Sequence, residues 1–191
     1  MSEGHRESVF TIGHGGRTAE HLLGLLQQHR IGYLIDVRSV PFSRHQPDFN
    51  QDVIGPLAAA REIRYIPMGD SLGGRPKDPD CYLDGAVDYD RCRTKAWFQE
   101  GIVRIKEVAA GGHGVALMCS ELRPEMCHRS RLIGRELALQ GLEVFHLDES
   151  EALVDQGQVL FRVTGGQTHL FGDDQVTLLR RRGERKSGKA R

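Results

Sequence analysis

The sequence contains no uninterrupted apolar run of the roughly 18 to 20 residues that a membrane-spanning helix requires. Residues 1–6 also lack the apolar stretch of a secretory signal peptide. Aromatic residues are scarce, at 6% of the chain, but 39% of the residues are hydrophobic, which is enough for a folded core. These features predict a soluble, cytoplasmic protein without a membrane partner.

Cysteine is also sparse. The four cysteines are Cys81, Cys92, Cys119 and Cys127, and no two of them form a C-x-x-C pair. A chain of 191 residues does not depend on disulfides for a stable core, so all four are predicted to be reduced thiols. Neither a glycine-rich phosphate loop nor a dinucleotide-binding glycine motif is present, and no cofactor is predicted.

Strand and helix patterns alternate along the chain. Apolar, β-branched runs predict strands at residues 8–13, 32–38, 64–68, 114–119 and 142–147. Helical patterns separate them at 18–26, weakly at 49–63, at 91–110 and at 124–141, and the Gly-, Pro- and Asp-rich stretch 69–90 is predicted to be a long functional loop. This order predicts a three-layer α/β domain, with a mostly parallel sheet of about five strands and helices on both faces.

The C-terminal part differs from this domain. The α/β domain is predicted to span residues 1–155, followed at 156–179 by a β-hairpin with strands at 159–163 and 167–171. The last twelve residues begin at Arg180, end at Arg191 and hold seven basic residues against one acid, so this predicted disordered tail carries +6 and residues 1–179 carry −6.

The most specific candidate site lies between the fourth strand and the helix after it. Cys119 ends the strand, and Pro124 stands where a first helical turn is expected, which predicts that Cys127, His128 and Arg129 lie in the first turns of the helix. A helix N-terminus stabilises a thiolate, so either cysteine is a candidate nucleophile. The alternative is that both cysteines pack as small hydrophobic residues.

The same segment offers three sulfur or nitrogen ligands within nine residues, which raises the question of a metal. No standard zinc spacing is present, and adjacent Cys127 and His128 are expected to point to different sides of a helix. A zinc site therefore requires a further ligand, such as His14, and no metal is predicted.

Arginines form a second constellation. Arg38 and Arg44 flank a proline after the second strand, Arg75 follows Gly73 and Gly74, and Arg129 lies at a helix start. Guanidinium groups near a helix N-terminus suit a phosphate or carboxylate, so an anionic ligand is predicted. The alternative is that these arginines pair with surface acids.

These residues resemble a bacterial and archaeal family, domain of unknown function 488. The resemblance is carried by Thr-Ile-Gly-His at 11–14, Asp-Val-Arg at 36–38 with Pro41, Ser43 and Arg44, Leu-Gly-Gly at 72–74, and Cys119, Glu121, Pro124, Cys127, His128 and Arg129. It spans residues 9–148 and implies no activity. The layout is also loosely similar to rhodanese-like proteins, although Arg123 follows Cys119 too closely for their anion-binding loop.

Three functions remain open. The first is an enzyme acting on a nucleotide, a nucleic-acid component or another phosphorylated compound. In that enzyme the nucleophile is Cys119 or Cys127, and a proton is transferred by His14 or His128. Glu121 is a base or an orienting group. The anion is held by Arg38 and Arg129. The second is a nucleic-acid-binding accessory protein that uses its basic tail. The third is a metal-binding or redox-sensing protein that uses both cysteines and a histidine.

Overall fold

The computed structural model describes residues 8–164 and confirms the α/β class, with a mostly parallel sheet. The strands are β1 Ser8–Gly13, β2 Ile31–Asp36, β3 Arg64–Pro67, β4 Tyr82–Leu83, β5 Ala86–Val87, β6 Gly114–Cys119, β7 Glu143–Leu147 and β8 Leu153–Asp155. The main sheet has the order β3-β2-β6-β1-β7-β8, in which only β8 is antiparallel to its neighbour, and β4 and β5 form a separate small ribbon.

Helices cover both faces of this sheet. They are α1 Ala19–Gln28, α2 Gln51–Ala59, α3 Gly69–Leu72, α4 Tyr89–Arg93, α5 Ala96–Ala110, α6 Arg135–Leu139 and α7 Gln156–Thr164. Alternate residues of β6 point to opposite faces: Met118 packs with the core of α1 and α2, whereas Leu117 packs with that of α5 and α6. Within residues 8–164, none of the helices has the length and hydropathy needed to cross a bilayer.

Local sequence signals explain the first helix. Thr18 precedes α1 in an extended conformation, and its hydroxyl accepts a hydrogen bond from the His21 N–H at 3.2 Å. Leu22, Leu23 and Leu26 then form its buried face. Residues 14–18 connect β1 to α1. The packing of α1 therefore helps to fix the turn that follows the carboxyl end of β1.

The stretch 69–90 was predicted to be a loop, and this prediction is wrong. It contains α3, the β4–β5 ribbon and the start of α4, and Leu72 and Cys81 are fully buried in the core. The helix predicted at 91–110 is divided into α4 and α5. The side chain of Asp88 accepts the Asp90 and Arg91 N–H groups and so fixes the start of α4.

The predicted C-terminal hairpin is only partly confirmed. A hairpin closes the sheet, but β7 and β8 form it, and residues 159–163 belong to α7 rather than to a strand. Asp155 and Gln158 form a capping box, in which each side chain accepts the backbone N–H of the other, at 2.8 and 2.9 Å. The second predicted strand, at 167–171, and the basic tail lie outside the described residues.

Candidate functional site

The carboxyl ends of β1, β2 and β6 meet at one edge of the sheet, because β6 lies between the other two strands. The His14 N–H donates to the Cys119 carbonyl at 2.8 Å, and the Val37 N–H donates to the Met118 carbonyl at 3.0 Å. The chain leaves β1 and β2 toward helices on one face, but it leaves β6 toward α6 on the other. Such a reversal opens a crevice beyond the strand ends, where α/β proteins bind ligands.

An open pocket of about 410 Å³ lies in this crevice. The predicted site residues that line it are His14, Arg38, Gly74, Arg75, Cys119, Glu121, Cys127 and His128. Arg44, Gly73 and Arg129, which were also predicted, do not line it. A larger depression of about 530 Å³, beside Arg17 and Glu151, is lined by none of the predicted residues.

Two thiols and one imidazole form a compact group on the pocket wall, here called the Cys–His cluster: Cys119, Cys127 and His128. The Nδ1 atom of His128 lies 3.6 Å from the Cys119 sulfur and 3.7 Å from the Cys127 sulfur. All three ligand atoms lie within 4.8 Å of one another. The four cysteines of the chain are free thiols, and all are buried.

The cluster forms because Cys127 is not helical, contrary to the prediction. Pro124 begins a 3-10 turn of only three residues, and Cys127 follows it in an extended conformation, with φ −116° and ψ 146°. Helical geometry begins at His128 and continues as a π-helical segment, Arg129–Gly134. The two adjacent side chains therefore converge on Cys119 instead of pointing to different sides of a helix.

Protonation differs between the two thiols. A hydrogen bond from the Cys127 thiol, together with one from the backbone N–H of Glu121, lowers the pKa of Cys119 well below its ordinary value. The same bond to Cys119, together with burial, raises the pKa of Cys127. Of the two thiols, Cys119 is therefore the one that ionises more readily.

Arg38 is held in place by a carboxylate. Its guanidinium donates to Asp36 at 2.5 and 2.9 Å and to the Phe49 carbonyl at 2.6 Å. The Tyr65 hydroxyl donates to the same carboxylate at 2.6 Å. Because Asp36 offsets the charge of Arg38, the exposed Arg75 supplies the positive charge that remains at the pocket.

His14 stands next to Arg38. Its Nε2 atom lies 3.4 Å from Nη1 of Arg38, which can only donate, so Nε2 is the acceptor and the neutral ring carries its proton on Nδ1. Burial and the charge of Arg38 lower the pKa of His14. The ring also stacks on Phe49, with 4.4 Å between centroids. His14 is therefore a fixed, neutral imidazole at neutral pH.

Arg129 supports the site from beneath. Its side chain is fully buried, and the guanidinium donates to the carbonyls of Glu121 and Leu122. A side chain at Gly13 would meet both the Glu121 carbonyl and this guanidinium, so the loop after β6 packs directly on the end of β1. The structure places Arg129 where it orients the cysteine loop.

Several pocket residues were not predicted as site residues: Ser39, Val40, Phe42, Ser43, Tyr89, Ser120 and Met126. Val40, Phe42 and Met126 are exposed and form an apolar rim. An exposed apolar residue in a loop is common, so the sequence carries no signal for this rim. Of these residues, Ser120 has the clearest sequence signal, because it directly follows Cys119 at the end of β6.

The chain belongs to the family described as Domain of unknown function DUF488, which matches residues 18–135. The match includes Asp36 and Arg38, the glycines at 73 and 74 and the whole Cys–His cluster, but it begins after His14. Comparisons with curated proteins and with solved structures found no match.

Proposed function

We propose that the protein is an enzyme that acts on a small anionic compound, such as a nucleotide, a nucleic-acid component or another phosphorylated compound. One observation carries the proposal: the Cys–His cluster shares an open pocket with His14, Arg38 and Arg75. Reactive sulfur, a proton-transfer group and cationic groups around one crevice are the components of covalent or acid–base catalysis.

The cluster supplies the reactive group. A thiolate is both a nucleophile and a metal ligand, and Cys119 lines the pocket. The hydrogen bond from Cys127 favours the thiolate on Cys119, which lines the pocket.

Other side chains at the pocket would bind the substrate and transfer protons to or from it. Arg75 is exposed at the pocket, and its backbone N–H donates to the Ser39 hydroxyl at 2.9 Å, which fixes the loop that carries it. Its guanidinium suits a phosphate or carboxylate. His14 is the proton-transfer group, and Glu121 is an exposed carboxylate at the pocket. The negative charge of residues 1–179 favours a small anion over a polyanion.

Substrate conversion is the direct test. The full chain is incubated with a panel of nucleoside monophosphates and other phosphorylated metabolites, and products are followed by liquid chromatography and mass spectrometry. We expect at least one compound to be converted by the native protein and by Cys92→Ser, a control at a buried cysteine outside the pocket. Cys119→Ser is expected to abolish the conversion. Equal conversion by Cys119→Ser, or no conversion by the native protein, would refute the proposal.

A further inference from the structure

We propose that Cys119, Cys127 and His128 together bind one divalent metal ion of the zinc type, with a fourth coordination position open to the pocket. This inference deepens the proposed function, because the metal lies in the same pocket, but metal binding can be measured separately from turnover.

The two sulfur–nitrogen distances within the cluster match a tetrahedral site. With metal–sulfur and metal–nitrogen bonds of about 2.3 and 2.1 Å, tetrahedral geometry separates a sulfur from a nitrogen ligand by about 3.6 Å. The observed separations from His128 Nδ1 to the two sulfurs are 3.6 and 3.7 Å. Both sulfur–nitrogen separations therefore have the length that one tetrahedral ion requires, and all three ligand atoms lie within 4.8 Å of one another.

The orientation of His128 is that of a metal ligand. Its Nε2 atom lies 3.0 Å from the Val37 carbonyl, which can only accept, so Nε2 carries the proton. The Nδ1 lone pair then faces the two sulfurs. A ligating histidine characteristically donates its other ring N–H to a carbonyl or carboxylate, which fixes both the tautomer and the ring.

The surrounding chain holds the three ligands in place before any ion binds. Cys119 ends β6 and is paired with Gly13 of β1. The Cys127 N–H donates to the Pro124 carbonyl at 3.0 Å, and the Arg129 N–H donates to the Cys127 sulfur at 3.5 Å. Little ordering entropy is then lost on binding, which favours affinity.

The other two cysteines provide an internal comparison. Cys81 and Cys92 are fully buried, line no described pocket and belong to no potential metal-binding group within residues 8–164. They have the environment of cysteines that pack as small hydrophobic residues. Cys119 and Cys127 differ because an imidazole faces both sulfurs and the pocket reaches both.

The ligand set selects the metal and the type of site. Two thiolates and one imidazole suit zinc and other soft ions, and they disfavour magnesium and calcium, which prefer oxygen. No fourth Cys, His, Asp or Glu joins the group among the described residues. Three protein ligands with one open position are typical of a catalytic rather than a structural zinc site. The open position takes water or an anionic oxygen of the substrate.

Metal titration tests the inference. Protein without a histidine tag is stripped with a chelator and titrated with Co²⁺ while the thiolate-to-cobalt charge-transfer bands are recorded, and bound Zn²⁺ is counted by elemental analysis after dialysis. We expect one metal ion per chain. Cys127→Ser and His128→Ala should each weaken metal binding by roughly tenfold or more. Substitution of residues that only hydrogen-bond to a metal ligand already lowers metal affinity by about 10- to 100-fold. Cys92→Ser should bind like the native protein.

Circular dichroism of each metal-free variant separates loss of ligands from loss of the fold. A folded native protein that binds well below one equivalent, or that binds equally well as Cys127→Ser and His128→Ala, would overturn the inference. Conversion of a phosphorylated compound that depends on Cys119, in a protein that binds well below one equivalent of metal, would overturn the metal site alone. One bound metal ion without any turnover would support the metal site and count against the proposed function.

Discussion

At the scale of single residues, His146 makes folding stability depend on pH. Its ring is fully buried between the Thr11 hydroxyl at 2.7 Å and the Gln156 side-chain oxygen at 2.8 Å. Burial lowers the pKa of His146 to about 4. The unfolded chain takes up this proton near pH 6.5 and the folded chain only near pH 4, so stability is lost as the pH falls through that interval.

Between pH 7 and pH 4.5 we expect a loss of roughly 2 to 3 kcal/mol, from the size of the pKa difference. Urea unfolding at pH 7 and at pH 4.5 measures it. His146→Gln removes the titrating group, so the difference in stability between the two pH values should shrink by most of that amount. An unchanged pH dependence in His146→Gln would show that other groups cause it.

Gly74 gives a second prediction at this scale. A Cβ atom there would lie 2.7 Å from both Cγ and Nδ1 of His128, which is too close for a carbon contact. Gly74→Ala should therefore displace the imidazole, cost about 1 to 3 kcal/mol of stability and weaken Co²⁺ binding. Thermal unfolding and metal titration measure the two effects.

Gly24→Ala is the matched control, because a Cβ atom at Gly24, within α1, meets no atom within 4 Å. That control should be neutral or slightly stabilising and should bind metal normally. Native metal affinity in Gly74→Ala would mean that the close contact does not set the position of the His128 ring.

At the scale of elements, the loop between β6 and the π-helical segment depends on Arg129. Its guanidinium bonds two loop carbonyls through two separate nitrogens, whereas lysine has a single nitrogen and lacks this planar fork. Arg129→Lys should cost about 2 to 3 kcal/mol in urea unfolding. It should also lower metal affinity, because the loop joins Cys119 to Cys127.

Arg123→Lys is the control, since Arg123 lies in the same loop with its side chain 64% exposed. It should change stability by less than about 0.5 kcal/mol. If the two variants have equal stability and equal metal affinity, Arg129 does not support the cluster.

Element patterns predicted β1, α1 and β6 because their signals are local: an apolar run, the cap at Thr18 and the glycine at the start of β6. The capping box of Asp155 and Gln158 is an equally local signal for the start of α7. The extended conformation of Cys127 could not be predicted from the sequence, because Pro124 can begin either a long helix or a short turn. Contacts of the folded chain, including those of Arg129, decide between the two.

The order of the strands in the sheet determines which parts of the site could be predicted from the sequence. That His14, Arg38 and Cys119 follow strands was visible in the sequence, and strand ends gather at one edge of a parallel sheet. The insertion of β6 between β1 and β2 is not encoded in any local pattern, yet it joins His14 to Cys119. The apolar rim of Val40, Phe42 and Met126 depends on the same tertiary arrangement.

At the scale of the whole molecule, charge is divided between a body of −6 and a C-terminal tail of +6. If the tail contacts nucleic acid, deletion of residues 180–191 should remove most of the affinity for generic DNA or RNA at low salt. Binding by the full chain should fall with salt, with a log–log slope of about −0.7 to −0.9 per phosphate contact.

Fluorescence anisotropy with a labelled oligonucleotide measures both effects. The deletion should leave the chemistry of Cys119 unchanged, because the pocket is built from residues 14–128. Equal binding by the full and truncated chains, or no binding by either, would remove nucleic acid as a partner of the tail.

Site-resolved alkylation tests most directly whether the Cys–His cluster is the reacting centre of an anion-binding pocket. Metal-free protein is treated with iodoacetamide, and the labelling rate of each cysteine is followed by peptide mass spectrometry. We expect Cys119 to be labelled first and Cys92 last, and we expect one equivalent of Zn²⁺ or an excess of inorganic phosphate to slow the labelling of Cys119. Labelling of Cys119 no faster than Cys92, and unaffected by either addition, would contradict the account.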